Sequence, residues 1–265
     1  MTQPAVPFGP GLRLERDGRV ATLVLDRAEQ RNALTGAMWR ALPEVCDALA
    51  GDPVVRVLVV RGAGDEAFSA GADIAEMQQL MGDAKALHAF GNAVQVGQDR
   101  LAALALPTIA RIAGACTGGG CGIAMACDLR IASEDSFFAI PPARLGLVYS
   151  LADTLRVVDL VGPARAKDML FTGRRVNARE AHDWGLVNQV VPHTRLDAAL
   201  AETLGQIQQA AHSSIVAAKR IVAQIAAGAR GETAESRRLY DDSFTSQDFQ
   251  EGARAFLAKR KPEFD

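Results

Sequence analysis

The spacing of apolar and polar positions divides the chain into short strands and longer amphipathic helices. Leu12 to Glu15 and Val20 to Leu25 are apolar-rich segments separated by Arg16-Asp17-Gly18-Arg19, and Asp-Gly between alternating segments predicts a β-hairpin. Thr35 reads as the N-cap of a helix running to about Ala50, because Met38, Leu42, Val45 and Leu49 recur at helical spacing on one face. Val57 to Arg61 predicts a buried strand. Residues 75–103 carry helical character with a polar interruption at Gly82-Asp83. Thr108 to Ile112, made of small and β-branched residues, predicts another strand. A glycine-rich turn, a small-residue helix from about Gly119 and a strand over Leu129 to Ala132 follow it.

Further on, Ser136 to Ala139 reads as a short strand and PPARLGLVYSL as a loop leading into a helix. Helical segments over Leu151 to Val161 and Arg165 to Leu170 are broken at Gly162-Pro163. Ala178 to Trp184 is a helix stopped by Gly185, and Leu186 to Val191 returns as strand. The last part, Leu196 to Ala227 and Glu235 to Lys261, is largely helical. No linker separates independent domains, so the expected division is a core of residues 1–195 and a helical extension of residues 196–265.

At 265 residues, 49% of them hydrophobic and 23% charged, the chain has the balance of a soluble protein with a substantial core. A net charge of −2 argues against a broad nucleic-acid footprint and against an electrostatic membrane anchor. No apolar run approaches a membrane span. The opening MTQPAVPFGPGL lacks the basic start and apolar core of a signal peptide, and the four cysteines suit a reducing compartment. The expected location is therefore cytoplasmic. Cys116 and Cys121 have no histidine or matching cysteine pair nearby, so no metal site is expected.

Two turns carry candidate chemistry. Gly118-Gly119-Gly120 sit at a strand-to-helix junction, where glycines leave backbone N–H groups uncovered and let a ligand approach the main chain. Residues 67–77, AFSAGADIAEM, place a second glycine-bearing turn directly after an apolar strand. With DRAEQRNAL near the start, LFTGRRVNAREAHDWGLVNQVV in the third quarter and EGARAFLAKRKPEF at the end, these turns resemble the crotonase (enoyl-CoA hydratase/isomerase) superfamily over nearly the whole chain. The resemblance implies an α/β fold: a ClpP-like spiral of ββα units with a helical C-terminal extension for oligomerisation. It also implies that an AGAD turn and a GGG turn, about 45 residues apart, each donate one backbone N–H to a thioester oxygen, and those donors fall on Ala72 and Gly119.

The implied substrate is an acyl-CoA thioester, with coenzyme A entering as part of the substrate and no separate bound cofactor. By the same resemblance Arg27 and Arg31 approach its phosphates, and Ala70 and Ile74 lie along its adenine end. Phe256 and Lys259 reach the nucleotide from an adjacent subunit of a homotrimer or dimer of trimers. Ala28 stands where relatives have a proline. Some relatives bind RNA, but the charge balance and the lack of a lysine-rich segment count against that here.

The chain departs from the hydratase pattern at both glutamates, whose positions are taken by Gly122 and Pro142. Neither residue can take or give a proton, whereas syn hydration needs positioned carboxylates. The aspartate that other relatives carry a few residues later aligns with Ser150. Tyr149 remains in this loop, and PARLGLVYS resembles the loop of methylmalonyl-CoA decarboxylases, from which Arg144 and Val148 differ. The favoured reading is a lyase that stabilises a thioester enolate, with Tyr149 as a catalytic group. The alternatives are a hydratase or isomerase using Tyr149, His88 or Asp153, and a non-catalytic acyl-CoA-binding protein.

Overall fold

The computed structural model of the chain describes residues 2–264. In chain order the strands are β1 (Thr2–Pro7), β2 (Leu12–Asp17), β3 (Val20–Leu25), β4 (Val57–Gly62), β5 (Ala67–Ser69) and β6 (Thr108–Ile112). They continue with β7 (Ala115–Thr117), β8 (Leu129–Ser133), β9 (Phe137–Ala139), β10 (Val176–Asn177) and β11 (Gln189–Val191). The helices begin with α1 (Gly36–Ala50), α2 (Ile74–Gln79), α3 (Ala84–Ala102), α4 (Gly119–Ala126) and α5 (Leu151–Thr172). After them come α6 (Ala178–Asp183), α7 (Leu196–Gln208), α8 (His212–Ala226), α9 (Ala234–Ser243) and α10 (Gln247–Leu257).

The strands form two sheets, one of order β1-β2-β3-β4-β6-β8-β11 and one of order β10-β9-β7-β5. β2 and β3 make the expected hairpin, with Leu12 opposite Leu25 and Asp17 opposite Val20. Beyond it the large sheet is parallel from β3 through β4, β6 and β8 to β11. Parallel strands are covered on both faces, and β4 and β6 are accordingly buried almost throughout. The chain passes from the large sheet to the small one and then into helix three times: β4–β5–α2 and α3, β6–β7–α4, and β8–β9–α5. This winding is the spiral of ββα units that the sequence resemblance implies.

The small sheet was not predicted. β5, β7 and β10 are only two or three residues long, too short to show alternation, and the first two merge with the glycine turns. β1 was likewise unforeseen. The expected break at Gly162-Pro163 is present: Gly162 leaves the helical region at φ +79°, so α5 is two helical stretches meeting at a kink.

The described residues form two compact units. The first comprises the residues up to Leu104 together with Thr108–Leu200, and the second Ala105–Pro107 with the residues from Ala201 on. In the second unit Lys219 Nζ donates to the Leu106 carbonyl at 2.8 Å. Its α9 starts with a Thr233–Ser236 capping box, and Tyr240, Phe244 and Phe249 meet edge to face.

Within the first unit, Arg130 on β8 is a buried cation that fixes the end of α4. Its Nε donates to the Leu186 carbonyl at 2.7 Å, and its Nη1 donates to the carbonyls of Cys127 at 2.6 Å and Ala124 at 3.3 Å. A guanidinium on the last carbonyls of a helix complements the negative end of its dipole. We expect Arg130→Met to lower stability by about 2–4 kcal/mol, because it leaves several buried carbonyls unpaired. An unchanged denaturant midpoint would show that these bonds contribute nothing.

Candidate active site

The two glycine turns meet at the N-terminus of α4. The AGAD turn is held from below by the segment after β3. Leu34 N donates to the Gly71 carbonyl at 2.7 Å, Asp73 N to the Leu34 carbonyl at 2.9 Å and Ala70 N to the Arg31 carbonyl at 2.9 Å. Leu34 and Ala72 thus form a one-residue parallel bridge. In such a bridge the residues flanking Ala72 make the bonds, and its own N–H points away. Asn32, fully buried, braces the turn's base, with Nδ2 donating to the carbonyls of Ala67 at 2.7 Å and Ala63 at 3.1 Å. Ser69 Oγ donates to the Asn32 carbonyl at 2.8 Å and accepts from Gly71 N at 3.0 Å.

Gly71 sits at φ +91°, and a Cβ there would lie 2.7 Å from both Gly119 N and the Thr117 carbonyl oxygen. Only glycine permits this conformation and approach together. Thr117 Oγ1 closes the junction by donating to the Ala70 carbonyl at 3.1 Å. The outcome is that Ala72 N lies 3.4 Å from the place a Gly119 Cβ would take. Gly119 is the first residue of α4, so its N–H has no partner inside the helix. Trp39 walls this corner with its ring edge against Gly119, and its buried Nε1 has no hydrogen-bond partner among the described residues.

Tyr149 reaches the same corner from the loop before α5. Its hydroxyl donates to the Gly118 carbonyl at 3.3 Å, one residue before the Gly119 amide. Burial, and after it the Asp153 carboxylate, push the phenol well above its ordinary range, so Tyr149 is a neutral donor. Pro142 starts a 3-10 turn over Pro142–Leu145, and Arg144 ties this loop to the end of α5 through the Thr172 carbonyl at 2.8 and 3.1 Å.

Behind Tyr149 lies a buried polar cluster. Asp153 Oδ2 accepts from Ser150 Oγ at 2.7 Å and Oδ1 from Arg156 Nη1 at 3.0 Å, while Arg156 also pairs with Asp99. Burial raises the Asp153 carboxyl above its usual range, against the pull of Ser150 and Arg156. Gln98 on α3 completes the cluster, its Nε2 donating to both Asp153 oxygens in the amide orientation that satisfies its partners. Gln98 was not foreseen, although the stripe Phe90, Ala93, Gly97, Leu101 runs beside it and marks its helix face as buried.

Other candidate residues are placed more widely. Arg27 is committed to structure, since Nη1 donates to Asp73 Oδ2 and to the Ala33 carbonyl, both at 2.7 Å. Burial opposes ionisation of Asp73, but Arg27 and the Glu76 amide outweigh it and hold the carboxyl low. Arg31 is exposed at φ +50°, and Ile74 is exposed at the start of α2. Ala70 is part of the turn. His88 is exposed on α3. Phe256 and Lys259 belong to the second unit, where Phe256 is 84% exposed and Lys259 follows α10 at φ +51°. The four cysteines are buried thiols.

A spiral of ββα units with paired amides at the start of the glycine-rich helix defines a crotonase-superfamily protein. Residues 15–265 match the enoyl-CoA hydratase/isomerase family model, and the chain belongs to that family. A crotonyl-CoA hydratase of Syntrophomonas wolfei is 35% identical over 255 residues, 95% of this chain and 96% of that one. A carnitinyl-CoA dehydratase of Salmonella arizonae is 37% identical over 259 residues, covering 96% and 97%. The solved structure of an enoyl-CoA hydratase/carnithine racemase from Magnetospirillum magneticum superposes with a TM-score of 0.92 at 32% identity, covering 98% of this chain and 97% of that one. The family acts on acyl-CoA thioesters, so this chain is an acyl-CoA enzyme by kinship.

Proline is tolerated at the first position of a helix, so Gly119→Pro removes the amide donor and keeps the start of α4. Its Cβ would meet the Trp39 ring at 3.0 Å, and that ring must shift. We expect turnover of an acyl-CoA substrate to fall about 10²–10³-fold. Undiminished turnover in a folded variant would remove Gly119 from the site.

Proposed function

We propose that this chain is an acyl-CoA lyase working through a thioester enolate, with decarboxylation of a malonyl-type thioester as its reaction. The observation that carries this reading is the Tyr149 hydroxyl at the Gly118 carbonyl, beside the Gly119 amide, in a site where Gly122 and Pro142 supply no acid or base. The thioester oxygen would sit between the N–H groups of Ala72 and Gly119. The bond from the α-carbon to the carboxylate breaks, its electron pair passes into the thioester as an enolate, and CO2 leaves. The enolate carbon then takes a proton supplied from water. No general base is needed to start this sequence, and each fixed oxyanion donor is worth about 2.7–4 kcal/mol where measured. Tyr149, kept protonated, would turn its hydroxyl from the Gly118 carbonyl to the departing carboxylate and orient it by hydrogen bonding.

Hydration or isomerisation through Asp153 is the second reading, favoured by its raised carboxyl pKa. Against it, both Asp153 oxygens are engaged by Ser150, Arg156 and Gln98. Coenzyme A is proposed to meet Arg31, Ala70 and Ile74 along the AGAD turn, with Arg27 acting through Asp73. Phe256 and Lys259 would serve a neighbouring subunit's nucleotide in a homotrimer or dimer of trimers. The exposure of Val148 (95%) and Leu151 (85%) beside the site, and of Phe256 in the second unit, supports such assembly.

Malonyl-, methylmalonyl- and crotonyl-CoA assayed for CO2 release and for water addition test the reaction. Tyr149→Phe keeps the ring and removes the hydroxyl. A hydrogen bond to a charged group is worth about 1.5–3 kcal/mol, so decarboxylation should fall roughly 10–100-fold in a folded variant. Fast hydration of crotonyl-CoA, unaffected by Tyr149→Phe, would overturn the reading. For assembly, sedimentation at micromolar concentration should show a trimer or hexamer, and a monomer would refute the proposed subunit arrangement.

A further inference from the structure

Gly122 lies three residues after Gly119, on the same face of α4 and one turn in from the oxyanion-hole amide. The space a side chain at position 122 would use is already filled. A Cβ built on Gly122 would lie 2.7 Å from Gln98 Cδ, with one terminal atom of the Gln98 amide closer still. Gln98 is fully buried, reaches in from α3 and is fixed by Asp153, which Ser150 and Arg156 hold in turn. With Nε2 committed to Asp153, the carbonyl oxygen is the Gln98 atom turned toward Gly122.

The geometry points to Gln98 as the specificity-determining residue of the acyl site, a neutral amide in the space of a side chain at position 122 that lets a carboxylate sit on the acyl α-carbon. This inference rests on the enolate reading above. A carboxylate side chain beside that carbon would repel a substrate carboxylate strongly, since water is excluded and the effective dielectric is low. The amide carries no net charge and offers the carboxylate no strong hydrogen bond that would hold it back from leaving. Tyr149, turning its hydroxyl from the Gly118 carbonyl, is then a donor that orients it. Asp153 acts through Gln98, as a positioning residue that keeps the amide from turning over. The same packing explains why a glutamate placed at position 122 alone has no room.

Two coenzyme A thioethers that cannot form an enolate read this without turnover: S-(2-carboxypropyl)-CoA and its uncharged counterpart S-propyl-CoA. By calorimetry, Gln98→Glu should weaken binding of the carboxylated thioether tenfold or more and change binding of S-propyl-CoA less than twofold. Gln98→Met, neutral and of similar length, should spare both. Equal losses for both thioethers, or none, overturn the inference. Absence of CO2 release from every carboxylated acyl-CoA would instead sink the decarboxylase reading, and leave the binding result standing. The packing is tested separately by thermal unfolding, so an unfolded Gln98→Glu does not shield the idea. Gly122→Ala should lower the melting temperature by several degrees in the wild-type background and by much less when combined with Gln98→Ala. Equal shifts in the two backgrounds would show that Gln98 does not fill that space.

Discussion

The approach of Gly71 to the Gly119 amide is the constraint on which the site depends. Two turns from successive windings of the spiral must touch backbone to backbone to bring the amides of Ala72 and Gly119 together. Any Cβ at position 71 would occupy the space of the Gly119 N–H. The surrounding bonds defend that contact from both sides. Asn32 and Ser69 hold the AGAD turn against the segment after β3, and Thr117 hooks the glycine-rich turn to the Ala70 carbonyl. At the far end of α4, Arg130 pins the last carbonyls. A helix eight residues long is thereby fixed at both ends, which holds its first amide in place.

The charges around this junction are committed to structure. Asp73 is spent on Arg27 and on the cap of α2, and Glu76 accepts from Gly36 N at the start of α1 at 2.8 Å. Asp153 is spent on Ser150, Arg156 and Gln98. What remains uncommitted at the corner are backbone amides and a buried indole N–H, with a neutral phenol whose hydroxyl rests on the Gly118 carbonyl. Such a set stabilises an anion formed in place and is poorly equipped to abstract a proton. This physical asymmetry supports the proposed reaction, in which the enolate would arise by loss of a group rather than by deprotonation.

Much of this was legible in the sequence, and the reasons differ by element. The strands of the large sheet other than β1, and the helix caps at Thr35 and Gly185, were readable because apolar periodicity and turn residues act locally. The AGAD and GGG turns were readable because only glycine meets their backbone demands. The small sheet was not, since β5, β7 and β10 owe their existence to pairing across the spiral rather than to any pattern of their own. Arg27 was expected at the coenzyme A phosphates, and its ion pair with Asp73 joins residues 46 apart in sequence. The empty position at Gly122 was visible as an absence, but Gln98 was not visible as its occupant. That relation exists only once α3 is laid beside α4.

This last point bears on how one scaffold supports different reactions. A side chain missing from a packed interior leaves a cavity, and cavities are costly unless refilled. At Gly122 the space of a side chain is filled from α3 by the neutral amide of Gln98. A substitution at either position therefore acts on the other, and neither can be judged alone. A glycine at position 122 without Gln98 is a hole, and Gln98 facing a larger residue there is a clash. Their packing makes them one determinant, and its neutrality is what the proposed carboxylated substrate requires.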